Sequence, residues 1–319
     1  MISIADCLEP MELIRGLHNL LPRHRGCVAT IGNFDGVHLG HQAVLQQTCV
    51  KARELGLPST VISFEPQPQE FFRPEQAPPR LTRLREKLIA LAPHAVDRML
   101  CLNFNRQLAN LSAEQFIQQI LVNGLGVRYL VVGDDFKFGK NRQGDFNMLV
   151  RAGREYDFEV ANTHSFLLGD ARVSSTLIRE ALWQGDLRRV THLLGRPYSM
   201  CGRVAHGDKR GRTIGFPTAN IYLHRQNTPI LGVYAVQMKG VEEHPVNGVA
   251  NIGNRPTVCG TRTLLEVHLF DFNKDIYGAH VEVVFVEKIR DEKRFESFDA
   301  LKSQIQLDAT QARNILTGS

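Results

Sequence analysis

The chain reads as an α/β protein in two parts: a parallel sheet covered by helices, followed by a small antiparallel sheet or barrel with a closing helix. Three observations predict this. Short apolar runs alternate with helix-like segments from residue 27 to about residue 170, which implies parallel strands joined by crossover helices. Beyond residue 197, strand-like runs separated by Gly and Pro dominate instead. At 319 residues the chain is also long for one compact domain, so two domains are expected.

Bulk properties narrow the class. A hydrophobic content of 43% and a charged content of 22% suit a globular protein and argue against a disordered or fibrous one. The net charge of +5 fits a protein that handles phosphorylated anions, without singling out nucleic acid. Cys7, Cys27, Cys49, Cys101, Cys201 and Cys259 form no C-x-x-C pair, and several fall in apolar runs, as reduced core residues of a cytosolic protein do. The first residues include acidic ones and no long apolar core, and no apolar run approaches a membrane span. The expected location is the cytoplasm.

The first element in order is a strand. Residues 27–31 are apolar or β-branched and suit a buried strand of a parallel sheet. They lead into Gly32-Asn33-Phe34-Asp35-Gly36-Val37-His38-Leu39-Gly40-His41, where three glycines let the backbone approach a ligand closely. From about Gly40, the residues Leu45, Cys49 and Ala52 repeat at helical spacing, so His38 and His41 fall at the first turn of a helix. Unpaired N–H groups and the helix dipole favour phosphate there. No Gly-Lys-Ser/Thr follows, and G-x-G-x-x-G is missing, so neither common nucleotide loop applies. Two histidines three apart could form half a zinc site, but no further Cys or His stands at the usual spacing.

Further strands are expected at residues 60–64, 98–104, 127–133 and 158–161, with helices at 82–91, 112–122 and 145–156. Ser112 and Gln115 form a capping box at one helix start. Ligands bind at the carboxyl ends of parallel strands, and three segments fall at such ends. Phe64-Glu65-Pro66-Gln67-Pro68 is a rigid turn; Gly133-Asp134-Asp135-Phe136-Lys137-Phe138-Gly139 sets carboxylates beside aromatics. Ser174-Ser175-Thr176-Leu177-Ile178-Arg179 offers one helix cap, further hydroxyls and an arginine one turn on, a set that could also bind phosphate.

One helix ends around Gly185, a short one follows at 187–194, and Gly195-Arg196-Pro197 breaks it. Strands are then expected at 198–205, 232–238, 246–252, 264–270 and 281–286, and a closing helix at 298–316. The basic loop from Gly207 through Gly211 and Gly215 ends in Pro217-Thr218-Ala219-Asn220. By composition it suits RNA phosphate; equally, the Thr218 hydroxyl and Asn220 amide suit Mg²⁺ shared with ATP phosphates. Alternation places Glu266, His268 and Phe270 on one face of a strand, where Glu266 is either merely exposed or a proton acceptor.

The run G-N-F-D-G-V-H-L-G-H resembles the H-x-G-H signature of nucleotidyltransferases, in the form typical of bacterial bifunctional riboflavin kinase/FMN adenylyltransferases. Further runs resemble motifs of that family in the same order: Gly133–Gly139, S-S-T-x-I-R, P-T-A-N, E-x-H and the R-x-E-x-x-F stretch from Arg290. Many members carry His where this chain has Gln67. The resemblance implies a Rossmann-like nucleotidyltransferase domain at 1–186 and a β-barrel riboflavin kinase domain at 187–319. In the first domain it implies ATP contacts from Gly32, Asn33, Phe34, Asp35, Gly36, Gly40, Ser174, Ser175 and Thr176, with His38, His41 and Arg179 catalytic. In the second it implies ATP contacts from Gly207, Gly211, Gly215, Thr218 and Asn220, of which Thr218 and Asn220 also serve Mg²⁺, and Glu266 as base. Asp135, Phe136 and Arg290 would meet the flavin. The expected partners are ATP, riboflavin and FMN, with no nucleic acid or membrane, and the expected state is a monomer or weak homo-oligomer.

Overall fold

A computed structural model describes residues 11–318 except 134, 164–166, 169–170, 206–215, 224, 226 and 258–259. The chain divides into two compact units. The first comprises residues up to Pro78 together with Lys87–Val173, and the second comprises Pro79–Glu86 and everything from Ser174.

In the first unit the elements run β1 (Glu12–Arg15), β2 (Cys27–Ile31), α1 (Leu39–Leu55), β3 (Ser59–Glu65), α2 (Pro68–Phe72), α3 (Leu84–Leu91, divided between the units), β4 (Arg98–Asn103), α4 (Arg106–Ala109), α5 (Ala113–Phe116), β5 (Val127–Gly133), α6 (Phe146–Tyr156) and β6 (Glu159–Thr163). A short antiparallel pair, β7 (Leu167–Leu168) and β8 (Ala171–Arg172), completes it. The six strands β1 to β6 form one sheet in the order β1-β4-β3-β2-β5-β6, and every neighbouring pair is parallel.

Every residue of β2 is buried, as expected for the centre of a sheet covered on both faces. Leu45, Cys49 and Ala52 are the buried stripe of α1, at the helical spacing read from the sequence. Successive strands step from β2 to β3 and β4 on one side, and β5 then lies on the other side of β2. The sheet therefore changes direction between β2 and β5, and the crevice at their carboxyl ends is where such sheets bind ligands.

Several elements differ from expectation, and α2, α4 and the β7–β8 pair are additions. The edge strand β1 pairs with β4 and was not anticipated. The helix that starts at the Ser112–Gln115 capping box leaves α geometry after Phe116 and continues as a π-helical stretch, Ile117–Val122.

The second unit begins with α7 (Ser175–Gln184) and α8 (Leu187–Leu194), each ended by a left-handed glycine, Gly185 at φ 75° and Gly195 at φ 70°. Six antiparallel strands follow: β9 (Ser199–Ala205), β10 (Ala219–Tyr222), β11 (Gly232–Lys239), β12 (Val246–Thr257), β13 (Gly260–Leu269) and β14 (His280–Arg290). They close into a barrel in the order β10-β13-β12-β11-β14-β9. β10 is an addition to the expected strands.

The closing helix α9 (Phe298–Thr317) buries Ala309, Ala312 and Leu316 against Val233, Ala235, Val249 and Phe270 of the barrel. Pro79–Glu86 is stitched into this unit by a buried ion pair between Glu86 and Arg225. Glu86 also accepts from the backbone N–H of Cys201 (2.9 Å), and Arg225 donates to the carbonyl of Arg80 (2.7 Å).

Candidate active sites

The first site is built where β2 ends. Gly32 N–H still donates to the Ile62 carbonyl (3.0 Å), so the chain leaves the sheet only at Asn33. Phe34, Gly36 and Val37 then take positive φ values of 47°, 88° and 45°. For Phe and a β-branched Val this conformation costs on the order of 1–3 kcal/mol each, and it persists where surrounding contacts over-determine it. Phe34, Asp35, Val37 and His38 are all buried, so the turn packs inward.

His38 is the N-cap of α1, and its Nδ1 accepts from the backbone N–H of His41 at 3.3 Å. That acceptor role puts the proton of the neutral His38 ring on Nε2. The two imidazoles stack at 3.7 Å between centroids, and the Phe34 ring stands 5.0 Å from His41. A Cβ on Gly40 would come within 3.1 Å of the His38 ring, which explains a glycine between the two histidines.

The Nδ1 atom of His41 is buried and, among the described residues, has no hydrogen-bond partner. Burial, then the neighbouring His38 and Lys87, hold the His41 pKa well below the ordinary histidine value. A neutral ring with an unsatisfied buried nitrogen sits at the start of a long helix, a setting that favours an anion.

Beyond β5, Asp135 is exposed and pairs with Arg172 (3.0 Å), and the Phe136 ring stacks on Phe138 at 5.5 Å. Asp135 and Phe136 thus follow the strand next to β2, at the same end of the sheet as Gly32 and His38. Ser174 caps α7 by accepting from Leu177 N–H (3.2 Å), and Ser175 and Thr176 open the helix. Arg179, one turn on, donates through Nε to the Pro79 carbonyl (2.7 Å). All four belong to the second compact unit.

The second site lies on the barrel. Glu266 of β13 faces Asn220 of β10 on one side and Asn251 of β12 on the other. Directly paired residues of antiparallel strands project to the same face, so two carboxamides flank the carboxylate. Leu265, Val267 and Leu269 point into the core while Glu266 and His268 stay partly exposed, as the alternation predicted. His268 Nδ1 donates to the Pro217 carbonyl at 2.9 Å, which ties the Pro-Thr-Ala-Asn segment to β13.

Thr218 and Asn220 line a cavity of about 450 Å³ together with Val267, Phe272, Asp275 and Tyr277. Glu266 is not among its lining residues but stands in register beside Asn220. Among the described residues no cluster of three His, Cys, Asp or Glu could hold a metal. The neutral oxygens of Thr218 and Asn220 instead suit Mg²⁺ that keeps most of its waters and arrives with nucleotide phosphates. Gly207, Gly211 and Gly215 lie outside the described residues.

Arg290 is engaged within the barrel unit. Its guanidinium forms a two-point pair with Asp308 of α9 (Nε to Oδ1 3.0 Å, Nη2 to Oδ2 2.7 Å) and lies 5.7 Å from the Phe295 ring centroid. The pair with Asp308 ties β14 to α9. Sequence reasoning also passed over Lys87 and Asn251. One is a lysine inside an ordinary helical pattern, and the other becomes relevant only through strand register.

The family model for FAD synthetase matches residues 21–177, and the one for riboflavin kinase matches residues 194–316. Two flavin-dedicated transferases therefore follow one another along the chain.

A bifunctional riboflavin kinase/FMN adenylyltransferase from Escherichia coli strain K12 is 54% identical over 304 residues, covering 95% of this chain and 97% of that one. The protein so named from Pseudomonas fluorescens is 52% identical over 310 residues, covering 97% and 99%. The crystal structure of a macrolide-efflux protein from Streptococcus pneumoniae superposes with a TM-score of 0.78 at 31% identity, covering 96% and 99%. The chain belongs to the bifunctional riboflavin kinase/FMN adenylyltransferase family. Among the described residues no helix is long and apolar enough to cross a membrane.

Proposed function

We propose that residues 1–186 carry the adenylyl transfer and residues 187–319 the phosphorylation, with the site residues named above in those roles. As a member of its family the chain is a bifunctional enzyme. It phosphorylates riboflavin with ATP to FMN, then adenylylates FMN with ATP to FAD and pyrophosphate. The observation that supports the kinase assignment most is the register of Asn220, Glu266 and Asn251 beside the cavity at Thr218.

The two reactions ask different things of the protein. In the kinase step the nucleophile is a neutral primary hydroxyl, and Glu266 accepts its proton as the γ-phosphoryl group transfers. Thr218 and Asn220 would hold Mg²⁺ with the ATP phosphates, where the ion would supply charge neutralisation. In the adenylyl step the FMN phosphate is already ionised near neutral pH, so no protein base is needed.

Catalysis of that second step rests on position and charge. His38 and His41, with Gly32, Asn33, Phe34, Asp35, Gly36 and Gly40 around them, take the nucleotide phosphates. By their match to the family motif, Ser174, Ser175, Thr176 and Arg179 do the same. Asp135, Phe136 and Arg290 serve the flavins. The protein acts on small molecules in the cytoplasm, without nucleic acid, as a monomer or weak homo-oligomer.

Chromatography of products after incubation with riboflavin, ATP and Mg²⁺ tests this reading. FMN followed by FAD is expected, and the absence of any flavin turnover would overturn it.

A further inference from the structure

Lys87 lies outside every motif named above, yet it is one of the largest fully buried side chains, at 1% exposure. Its ammonium donates to the backbone carbonyl of Asn33 at 2.6 Å and to Ser63 Oγ at 3.1 Å. Ser63 Oγ in turn donates to the same Asn33 carbonyl at 3.3 Å. A helix and the neighbouring strand β3 thus converge on one carbonyl oxygen, at the point where β2 gives way to the turn.

That oxygen belongs to the residue just before Phe34, the first of the positive-φ positions leading to His38. Burying a cation costs desolvation, and an apolar side chain of similar length would avoid that cost. A lysine here is explained by what it holds rather than by stability. The same charge is among the causes that keep His41 neutral.

We propose that Lys87 is a positioning residue for adenylyl transfer: from beneath the turn it fixes the Asn33 carbonyl, and through it the placement of His38 and His41. This rests on the assignment of that turn to the nucleotide of the adenylyl step. Lys87 touches neither substrate in this account; it acts through the backbone of the signature.

The test uses the full chain with Lys87→Met, assayed separately for FAD formation from supplied FMN and for FMN formation from riboflavin. A displacement of about 1 Å at reacting groups costs on the order of 100-fold. A loss of that size in kcat/KM for ATP is therefore expected in adenylyl transfer, with a raised KM as well as a lowered kcat. A reduced folded fraction would lower kcat and leave KM unchanged, and it would lower riboflavin phosphorylation too, which is expected to stay at the parent rate.

If Lys87→Met does impair both halves, Ser63→Ala decides. It removes one of the two donors to Asn33, and a fall of about tenfold in adenylyl transfer alone is expected, in line with the loss of an orienting partner. Parent-like adenylyl transfer in Lys87→Met, or in Ser63→Ala where that variant decides, overturns the proposal. His38→Asn is run alongside. If it loses FAD formation while the Lys87 variant keeps it, only this inference falls; if His38→Asn keeps it, the assignment of the turn itself falls.

Discussion

The imidazoles of His38 and His41 stack at 3.7 Å, and the backbone N–H of His41 donates to Nδ1 of His38. One ring therefore caps α1 while the other stacks against it with its Nδ1 atom buried. Burial first, and then the neighbouring His38 and Lys87, disfavour protonation of His41.

A pH dependence of stability follows. In the unfolded chain His41 takes up a proton near pH 6.5, while in the folded chain its pKa lies well below that value. The unfolded state thus binds more protons between the two, so this group's contribution to stability is full above about pH 6.5 and is lost as pH falls, by about 1.4 kcal/mol per pH unit. His41→Asn should show a shallower acid-side decline of the unfolding midpoint. Identical slopes in the two proteins would contradict this.

Arg225 and Glu86 form an ion pair with side chains only 2% and 6% exposed. Removing one partner from such a pair leaves an uncompensated buried charge, and about 3–5 kcal/mol of stability is lost. Arg225→Ala should lower the denaturant midpoint accordingly and reduce the yield of folded kinase activity. A change within about 0.5 kcal/mol, as for an ordinary surface substitution, would refute it.

Burial pushes the Cys27 thiol up to about 11, against the weaker lowering effects of Thr60 and Arg98. An unfolded cysteine titrates near 8.5, so at pH 8 the native thiolate fraction is smaller by about 100-fold or more. Iodoacetamide labelling followed by mass spectrometry should find Cys27 protected in the native chain and reactive in urea. Equal rates in both would contradict the buried placement.

Much of this architecture was legible in the residues because local patterns carried it. The apolar run at 27–31 and the stripe Leu45, Cys49, Ala52 became β2 and α1, and the Gly185 and Gly195 stops fell where helices end. What escaped was set by distant contacts. β1 is a four-residue edge strand whose identity depends on pairing with β4. β10 starts in Pro-Thr-Ala-Asn, which lacks an apolar β-rich run and is a strand because β9 and β13 flank it.

The site shows the same limit. His38, His41 and Glu266 stand out by residue type and spacing. That Asn251 flanks Glu266 follows only from barrel register, and that Lys87 turns inward to Asn33 cannot be told from a helical pattern that equally suits a solvated lysine. Pro79–Glu86 joins the second unit through the Glu86–Arg225 pair, a contact 139 residues apart in sequence.

We propose that one chain holds two separable sites, with Glu266 serving one reaction and His38 the other. The direct measurement is a paired assay of Glu266→Gln and His38→Asn, the latter retaining a good helix N-cap. Each variant is followed by chromatography with riboflavin and, separately, with supplied FMN. Glu266→Gln should lose FMN formation and keep conversion of FMN to FAD. His38→Asn should do the reverse, with a loss of about 100- to 1,000-fold as for removal of an electrostatic donor. Equal impairment of both reactions by either substitution, in a folded protein, would contradict the account.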